Sequence, residues 1–280
     1  MGNKGFYKMR TSYIALFLLV PLVSCTAQKK DDSSVSTAFQ QPVFIAPSSI
    51  PRPILDRLNA DKDVFVPALE ALIEKDIEGL LTLVDKKHLL ASDMVPSDLV
   101  KLTKGKSYTL SRDGFSLRSS AEASLERMAT DARKEGVTIL VSSTYRSWEY
   151  QKGLYARNVR ELGQEVADRE SAPPGASQHQ TGTAVDFGTI TDSYAQTRAG
   201  KWLSSNAWKY GWSLSYPDGY EQVTGYKWEC WHYRYIGEEA AAFQRQWFDD
   251  VQQYMLEFIH EWKLWRTSNL SVVDLPAVMN

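Results

Sequence analysis

One acidic residue inside an apolar run constrains this fold more than any other feature of the sequence. Asp186 stands among Ala184, Val185 and Phe187, in a short segment that predicts a buried strand. A buried carboxylate is costly unless it is paired or coordinated. The fold must therefore bring a positive charge, hydrogen-bond donors or a metal ion to Asp186.

The chain has four histidines, and two of them are candidates for that partnership. His179 precedes the predicted strand in a loop rich in Gly and Pro, and His232 lies in the aromatic segment 226–235. We expect His88 and His260 to lie outside any site, because one follows two lysines and the other lies on the polar flank of a helix.

Aromatic residues alternate along segment 226–235, but the phase of the alternation changes halfway. One extra residue, a β-bulge near Cys230, would restore the register. Glu229 and His232 would then face the same side, whereas residues three apart in a regular strand face opposite sides. The segment therefore predicts two functional side chains in one cleft.

His179, Asp186 and His232 make a possible three-ligand set for one Zn²⁺ per chain. Three protein ligands leave a fourth position for water, which is typical of catalytic zinc sites. Glu229 would be placed to take a proton and pass it to a leaving amine. Spacing alone equally allows separate core or surface histidines.

Arg146 follows a predicted buried strand over 137–141, at a position where site loops tend to lie. A guanidinium recognises a carboxylate through two parallel donors in a fixed geometry, which suits the free C-terminus of a peptide. The alternative for Arg146 is a surface salt bridge.

The remaining pattern predicts helices and short strands. Apolar periodicity predicts a helix over 66–77 and a closing amphipathic helix over 248–262, whose stripe we interpret as core packing. Ser119 and Glu122 form a capping box that would open a third helix, which Gly136 would end. Residues 80–84 are strand-like.

The N-terminus resembles a bacterial lipoprotein signal. Lysines and an arginine precede an apolar run over 13–22 that is too short to span a bilayer, and the run leads to Cys25 in a lipobox-like sequence. We expect a signal peptide over 1–24, lipidation of Cys25 and a polar, Pro-rich tether over 25–53. Two acyl chains would anchor the protein outside the cytoplasmic membrane, in the periplasm or at the cell surface. An ordinary signal peptide with a chance Cys is the alternative.

Composition excludes several other classes. A formal net charge of −2 gives no electrostatic case for nucleic-acid binding. The chain contains only two cysteines, which excludes a multi-disulfide scaffold and a four-Cys zinc site.

Three ordered motifs together resemble the zinc D-alanyl-D-alanine carboxypeptidase family of the VanY type, which also holds L,D-carboxypeptidases of peptidoglycan. The motifs are Ser143-Thr-Tyr-Arg-Ser147 with Gln151, Ser177-x-His179-x-x-Gly182-x-Ala184-x-Asp186, and Glu229-x-Trp231-His232-x-Arg234-Tyr235. The resemblance covers roughly residues 80–237 and implies a compact α+β fold with a small, mostly antiparallel sheet.

The resemblance also implies roles for single residues. His179, Asp186 and His232 match the zinc ligands, and Glu229 matches the general base. Arg146 matches a residue that holds the substrate's carboxylate or polarised carbonyl, while Gln151 and Ser177 match positions that contact the substrate peptide. Cys230 stands where the family usually has Pro, and we expect its thiol to pack rather than to bind metal.

These observations predict an α+β protein with helices flanking the sheet and an extra C-terminal amphipathic helix. We expect an N-terminal helical and extended segment over 54–105, a catalytic domain over 106–237 and a helical extension over 238–280. The expected function is a monomeric, lipid-anchored zinc carboxypeptidase that removes a C-terminal D-Ala from peptidoglycan stem peptides. A crosslink endopeptidase and an inactive wall-binding lipoprotein are the alternatives, and D,D or L,D preference stays open.

Overall fold

A computed structural model describes residues 44–269 and the backbone of 278–279. The predicted signal peptide, Cys25 and the first part of the predicted tether lie outside the described residues. The α-helices are α1 (Arg52–Ala60), α2 (Lys62–Lys75), α3 (Ser119–Lys134), α4 (Trp148–Leu162), α5 (Gln164–Glu170), α6 (Arg198–Asn206), α7 (Glu221–Thr224), α8 (Glu238–Trp247) and α9 (Gln252–Ser268). The strands are β1 (Phe44–Ile45), β2 (Leu99–Lys101), β3 (Thr109–Leu110), β4 (Ser116–Arg118), β5 (Leu140–Ser143), β6 (Ala184–Phe187), β7 (Trp212–Leu214), β8 (His232–Tyr235) and β9 (Val278–Met279).

A five-stranded sheet in the order β3-β5-β6-β8-β7 organises the middle of the chain. Only the β3–β5 pair is parallel, and the other three pairs of this sheet are antiparallel. Helices flank the sheet, and α9 is the last helix among the described residues. The predicted α+β class with a small, mostly antiparallel sheet is confirmed.

Two hydrophobic clusters hold the described residues together. One packs α3 against the sheet, with side chains such as Leu125 and Val185 fully buried. The other joins α1 and α2 to α8 and α9, where Phe258 and Trp262 are also fully buried. The stripe residues therefore pack in a core, as predicted, but the helix predicted over 248–262 begins only at Gln252, because the chain turns at Asp249 and Asp250, where φ is positive.

Part of the predicted tether is buried, since Phe44, Ala46 and Ile50 belong to the second cluster. Phe44 is buried, and its ring centroid lies 4.9 Å from those of both Phe258 and Trp262. Burial of these apolar side chains stabilises an ordered conformation here, although the segment is rich in Pro. Within residues 44–269, no helix is long and apolar enough to cross a bilayer.

The strand predicted over 80–84 is wrong. This segment is a turn followed by irregular chain, and Arg234 Nη2 donates to the carbonyl oxygens of Leu80 and Thr82, each at 2.8 Å. Arg234 is itself fully buried. The apolar side chains of the segment are covered, but a guanidinium takes the carbonyls that a neighbouring strand would otherwise bind.

The third helix forms as predicted, but its capping box does not. Ser119 is the first helical residue rather than the N-cap, and the Glu122 carboxylate accepts from the Tyr108 hydroxyl at 3.0 Å. The helix ends before Gly136, whose φ of 70° suits Gly. The Val137 amide donates to the Ala132 carbonyl at the end of this helix. The strand predicted over 137–141 begins only at Leu140.

Candidate active site

Strand pairing and one tight turn bring the three candidate ligands together. Asp186 on β6 lies directly opposite His232 on β8 in the antiparallel register. His179 lies in a 3₁₀ turn, Gln178–Thr181, that ends at Gly182 in the left-handed conformation with φ of 71°. One potential ligand atom from each of the three side chains lies within 4.8 Å of the others, and all three side chains are buried.

Each imidazole has one ring nitrogen bonded to an oxygen and the other turned toward Asp186. His179 Nδ1 lies 2.7 Å from the Thr144 carbonyl oxygen, and His232 Nε2 lies 3.3 Å from Gln178 Oε1. These oxygens only accept, so both facing nitrogens carry the N–H. The opposite nitrogens, His179 Nε2 and His232 Nδ1, lie 3.2 and 3.1 Å from the Asp186 carboxylate, and these are the nitrogens that would face a bound metal ion.

The charges of the cluster favour an ionised Asp186 carboxylate. Burial alone would raise the pKa of Asp186, but His179, His232 and Arg146 hold this pKa well below its usual range. Burial and the adjacent Arg146 charge lower the pKa of His179 to about 4. The cluster therefore presents the imidazole and carboxylate groups that bind zinc in proteins.

Arg146 lies at this cluster, in the loop between β5 and α4. Its Nη2 donates to Asp186 Oδ2 at 2.7 Å and lies 3.0 Å from His179 Nε2. Nε donates to Ser143 Oγ at 2.9 Å, and Nη1 donates to Gln151 Oε1 at 3.3 Å. The surface salt bridge considered for Arg146 is excluded, since its carboxylate partner is buried.

Glu229 and His232 face the same side, although by a different device from the predicted bulge. The His232 amide donates to the Glu229 carbonyl at 3.2 Å, which makes a tight turn before β8 begins. Glu229 Oε2 lies 3.4 Å from His232 Nδ1. Burial, and next the charge of Asp186, raises the pKa of Glu229 to about 8.

A cleft opens over this cluster. The candidate site residues that line the cleft are Arg146, Ser177, His179, Asp186, Glu229 and His232. Other residues along the cleft are Leu154, Asn158, Glu170, Ile190, Tyr216, Tyr226 and Trp231. Ser177 lines the cleft, and its contact with substrate stays a prediction. Gln151 lies behind Arg146, is buried, and donates through Nε2 to the Ala172 carbonyl at 2.7 Å.

Cys230 and the two remaining histidines lie apart from the cluster. The Cys230 thiol is buried in the hydrophobic core and faces the carbonyl oxygens of Thr191 and Asp192. The rings of His88 and His260 contact each other, with centroids 4.7 Å apart. Among the described residues, His179, Asp186 and His232 are the one group of three or more side chains arranged to hold a metal ion.

Sequence reasoning missed the residues that orient the ligands. Thr144 and Gln178 stand inside the quoted motifs, but their positions carried no predicted role. Ser215 donates to the same Gln178 oxygen at 2.7 Å and comes from the end of β7. The one available signal was that Gln178 is adjacent to His179 in the sequence, but adjacency does not show which side chain Gln178 contacts.

Comparison with known proteins places this site in a family. A sequence family described as VanY, D-alanyl-D-alanine carboxypeptidase, matches residues 114–238. The LdcB LD-carboxypeptidase structure is 32% identical with a TM-score of 0.59, over 66% of this chain and 88% of that chain. Through this region the chain belongs to the VanY carboxypeptidase family.

Two further similar proteins are a curated carboxypeptidase and a solved structure. A D-alanyl-D-alanine carboxypeptidase of Enterococcus faecium is 32% identical over 187 residues, which are 65% of this chain and 59% of the relative. The structure of a vancomycin resistance D,D-pentapeptidase VanY variant in complex with Zn(II) is 28% identical with a TM-score of 0.52, over 63% of this chain and 98% of that chain. The chain spans about three fifths of the length of the first curated relatives that it matches.

Proposed function

We propose that this protein is a zinc metallopeptidase that removes a C-terminal D-Ala from peptidoglycan stem peptides. One observation carries the proposal: His179, Asp186 and His232 converge in a cleft that also holds Glu229 and Arg146. The carboxypeptidase names of the relatives in the same family support the reaction class.

The side chains in the cluster fit a zinc ion. Two imidazole lone pairs and one carboxylate are the nitrogen and oxygen donors that zinc takes at three-ligand catalytic sites. Carbonyl oxygens already hold both imidazoles in the required tautomer, a common arrangement behind metal-binding histidines. One zinc ion bound here would polarise a carbonyl and lower the pKa of water.

Glu229 is the proposed general base. Its buried carboxylate faces the cleft beside His232, where it can accept a proton from the attacking water. The same group can then deliver that proton to the leaving amine of D-Ala. No other acidic side chain that lines the cleft within the described residues lies as close to His232, apart from Asp186 itself.

Arg146 is the proposed recognition group for the carboxylate or the polarised carbonyl of the substrate. Ser143 and Gln151 hold its Nε and Nη1, so the guanidinium stays at the wall of the cleft. Nη2 contacts Asp186 and His179, so a substrate oxygen would be bound by the N–H groups of the guanidinium that these protein contacts leave available. Ser177 lines the same cleft and is a proposed peptide contact.

We also propose that the protein acts outside the cytoplasmic membrane, anchored by lipid on Cys25. The support is the apolar run over 13–22 with the lipobox-like sequence after it. Stem peptides lie on that side of the membrane, so the location and the substrate agree.

Muropeptide digestion followed by mass spectrometry tests the proposed function. The zinc-loaded protein should release D-Ala from a stem peptide with a free C-terminus and leave a C-terminally amidated peptide almost uncut. Pentapeptide and tetrapeptide stems, run side by side, separate D,D from L,D preference. Equal cleavage of the amidated peptide or of a crosslinked dimer would establish an endopeptidase instead. Binding to sacculi without any cleavage would indicate an inactive wall-binding protein.

A further inference from the structure

A buried row of polar side chains connects His232 to the first turn of α9. Gln178 Oε1 lies 3.3 Å from His232 Nε2 and accepts from Ser215 Oγ at 2.7 Å. The other end of the same amide donates through Nε2 to Gln252 Oε1 at 3.2 Å. All four side chains are buried, so water does not compete for these bonds.

The direction of the Gln178 amide decides the tautomer of His232. An amide has a donor end and an acceptor end, and only the acceptor end leaves the proton on His232 Nε2. Gln252 Oε1 accepts a hydrogen bond from the Gln178 NH₂ group, which turns the Gln178 oxygen toward His232. The Ser215 hydroxyl, which can donate or accept, is compatible with this orientation and lies 2.7 Å from Gln178 Oε1 and 3.4 Å from Gln252 Oε1. Gln252 is held in turn, since its Nε2 donates to the Ser213 carbonyl at 3.4 Å.

Gln252 comes from a part of the chain that the family match does not include. The match ends at residue 238, whereas α9 begins at Gln252. The helix containing Gln252 packs with α1, α2 and α8 in the second hydrophobic cluster. The orientation of a candidate ligand inside the family region thus depends on a side chain outside it.

We propose that Gln252 is a positioning residue of the metal centre, acting through Gln178 to fix the tautomer and ring orientation of His232. This inference rests on the proposed zinc site. It assigns the C-terminal helical extension a part in metal binding, because the extension supplies the acceptor that orients the Gln178 amide. Groups that orient metal ligands in this way typically change metal affinity or activity by about 10- to 100-fold when they are removed.

The test compares two adjacent buried glutamines in the full chain. Gln252→Leu removes the acceptor for Gln178, and Gln253→Leu is the matched control. Gln253 is also buried in the first turn of α9, but it donates to Asp85 and Glu257. Zinc affinity, measured by competition with a chromophoric chelator, should fall by about 10- to 100-fold in Gln252→Leu. It should remain within about threefold of the original in the control.

A double-substitution cycle separates positioning from a general structural effect. If Gln252 acts through Gln178, Gln178→Leu and the Gln178→Leu/Gln252→Leu protein should have equal zinc affinities. The visible spectrum of the cobalt-substituted protein should change in Gln252→Leu and not in Gln253→Leu. Should Gln252→Leu fail to fold, Gln252→Met, which keeps a long unbranched chain without the acceptor oxygen, provides the same comparison.

The possible results distinguish failure of this inference from failure of the proposed zinc site. An unchanged zinc affinity in the Gln252 variants, or losses that add in the double variant, would overturn the inference and leave the proposed zinc site intact. A parallel loss in Gln253→Leu would also overturn it. Failure of the original protein to bind zinc would overturn the proposed function together with this inference.

Discussion

Replacing Glu229 with Gln separates the chemistry of the site from its assembly. Gln has nearly the same volume and shape, so the buried position keeps its packing. The change replaces the ionisable, proton-accepting carboxylate beside His232, where Oε2 now lies 3.4 Å from Nδ1, with an amide that cannot act as a base. The three candidate ligands, the Arg146 contacts and the Glu229 backbone bond to Tyr216 are untouched.

The expected effect falls on turnover. A positioned general base contributes about 10²–10⁴-fold to rate. At about 1.36 kcal/mol per factor of ten, Glu229→Gln should raise the activation barrier by about 2.7–5.4 kcal/mol. Zinc content and peptide affinity should be unchanged, because the carboxylate is expected neither to coordinate the metal nor to hold the substrate's C-terminus.

Three measurements check this expectation. D-Ala release from a free-acid stem peptide gives kcat, metal analysis gives zinc per chain, and calorimetry gives peptide affinity. A kcat within tenfold of the original would refute the role of Glu229 as the base. Loss of zinc from the variant would show instead that Glu229 is a ligand.

Three other changes test separate parts of the argument. His179→Ala removes one of three ligands, so metal analysis should find zinc largely lost while thermal unfolding remains cooperative; full zinc content would move the site. Cys25→Ser should abolish detergent-phase partitioning and leave catalysis intact, whereas unchanged partitioning would refute lipid anchoring. Trp262→Ala empties a fully buried position whose indole also donates to Glu70 at 2.7 Å, and should lower the free energy of unfolding in urea by about 3–5 kcal/mol; a loss below about 1 kcal/mol would contradict the observed packing of α9.

The candidate site was predictable from sequence because its residues are scarce and chemically demanding. Asp186 in an apolar strand required a charged or coordinating partner, and few histidines were available to supply one. The β6–β8 register then places Asp186 opposite His232, as a shared site requires. Local patterning also placed Glu229 on the same side as His232, although a tight turn rather than a bulge produces that arrangement.

What sequence reasoning missed depends on contacts between distant residues. Residues 80–84 have the apolar pattern of a strand, but Arg234 binds their carbonyls from more than 150 residues away along the chain. Periodicity reports burial and does not distinguish a strand from a buried loop whose backbone binds a side chain. The Gln178–Gln252 hydrogen bond joins residues 74 positions apart and has no local signature.

These two distant contacts converge on strand β8. Arg234, two residues after His232, binds the segment before the family match, while Gln178 connects His232 to the helix after it. A ligand on a short strand needs both its backbone and its imidazole held, because small displacements cost much of a metal site's affinity. The flanking segments therefore brace the strand that presents His232, in addition to forming a hydrophobic cluster of their own. On this reasoning, sequence changes in the extension will alter metal affinity when they reach Gln252 and mainly stability when they fall elsewhere on α9.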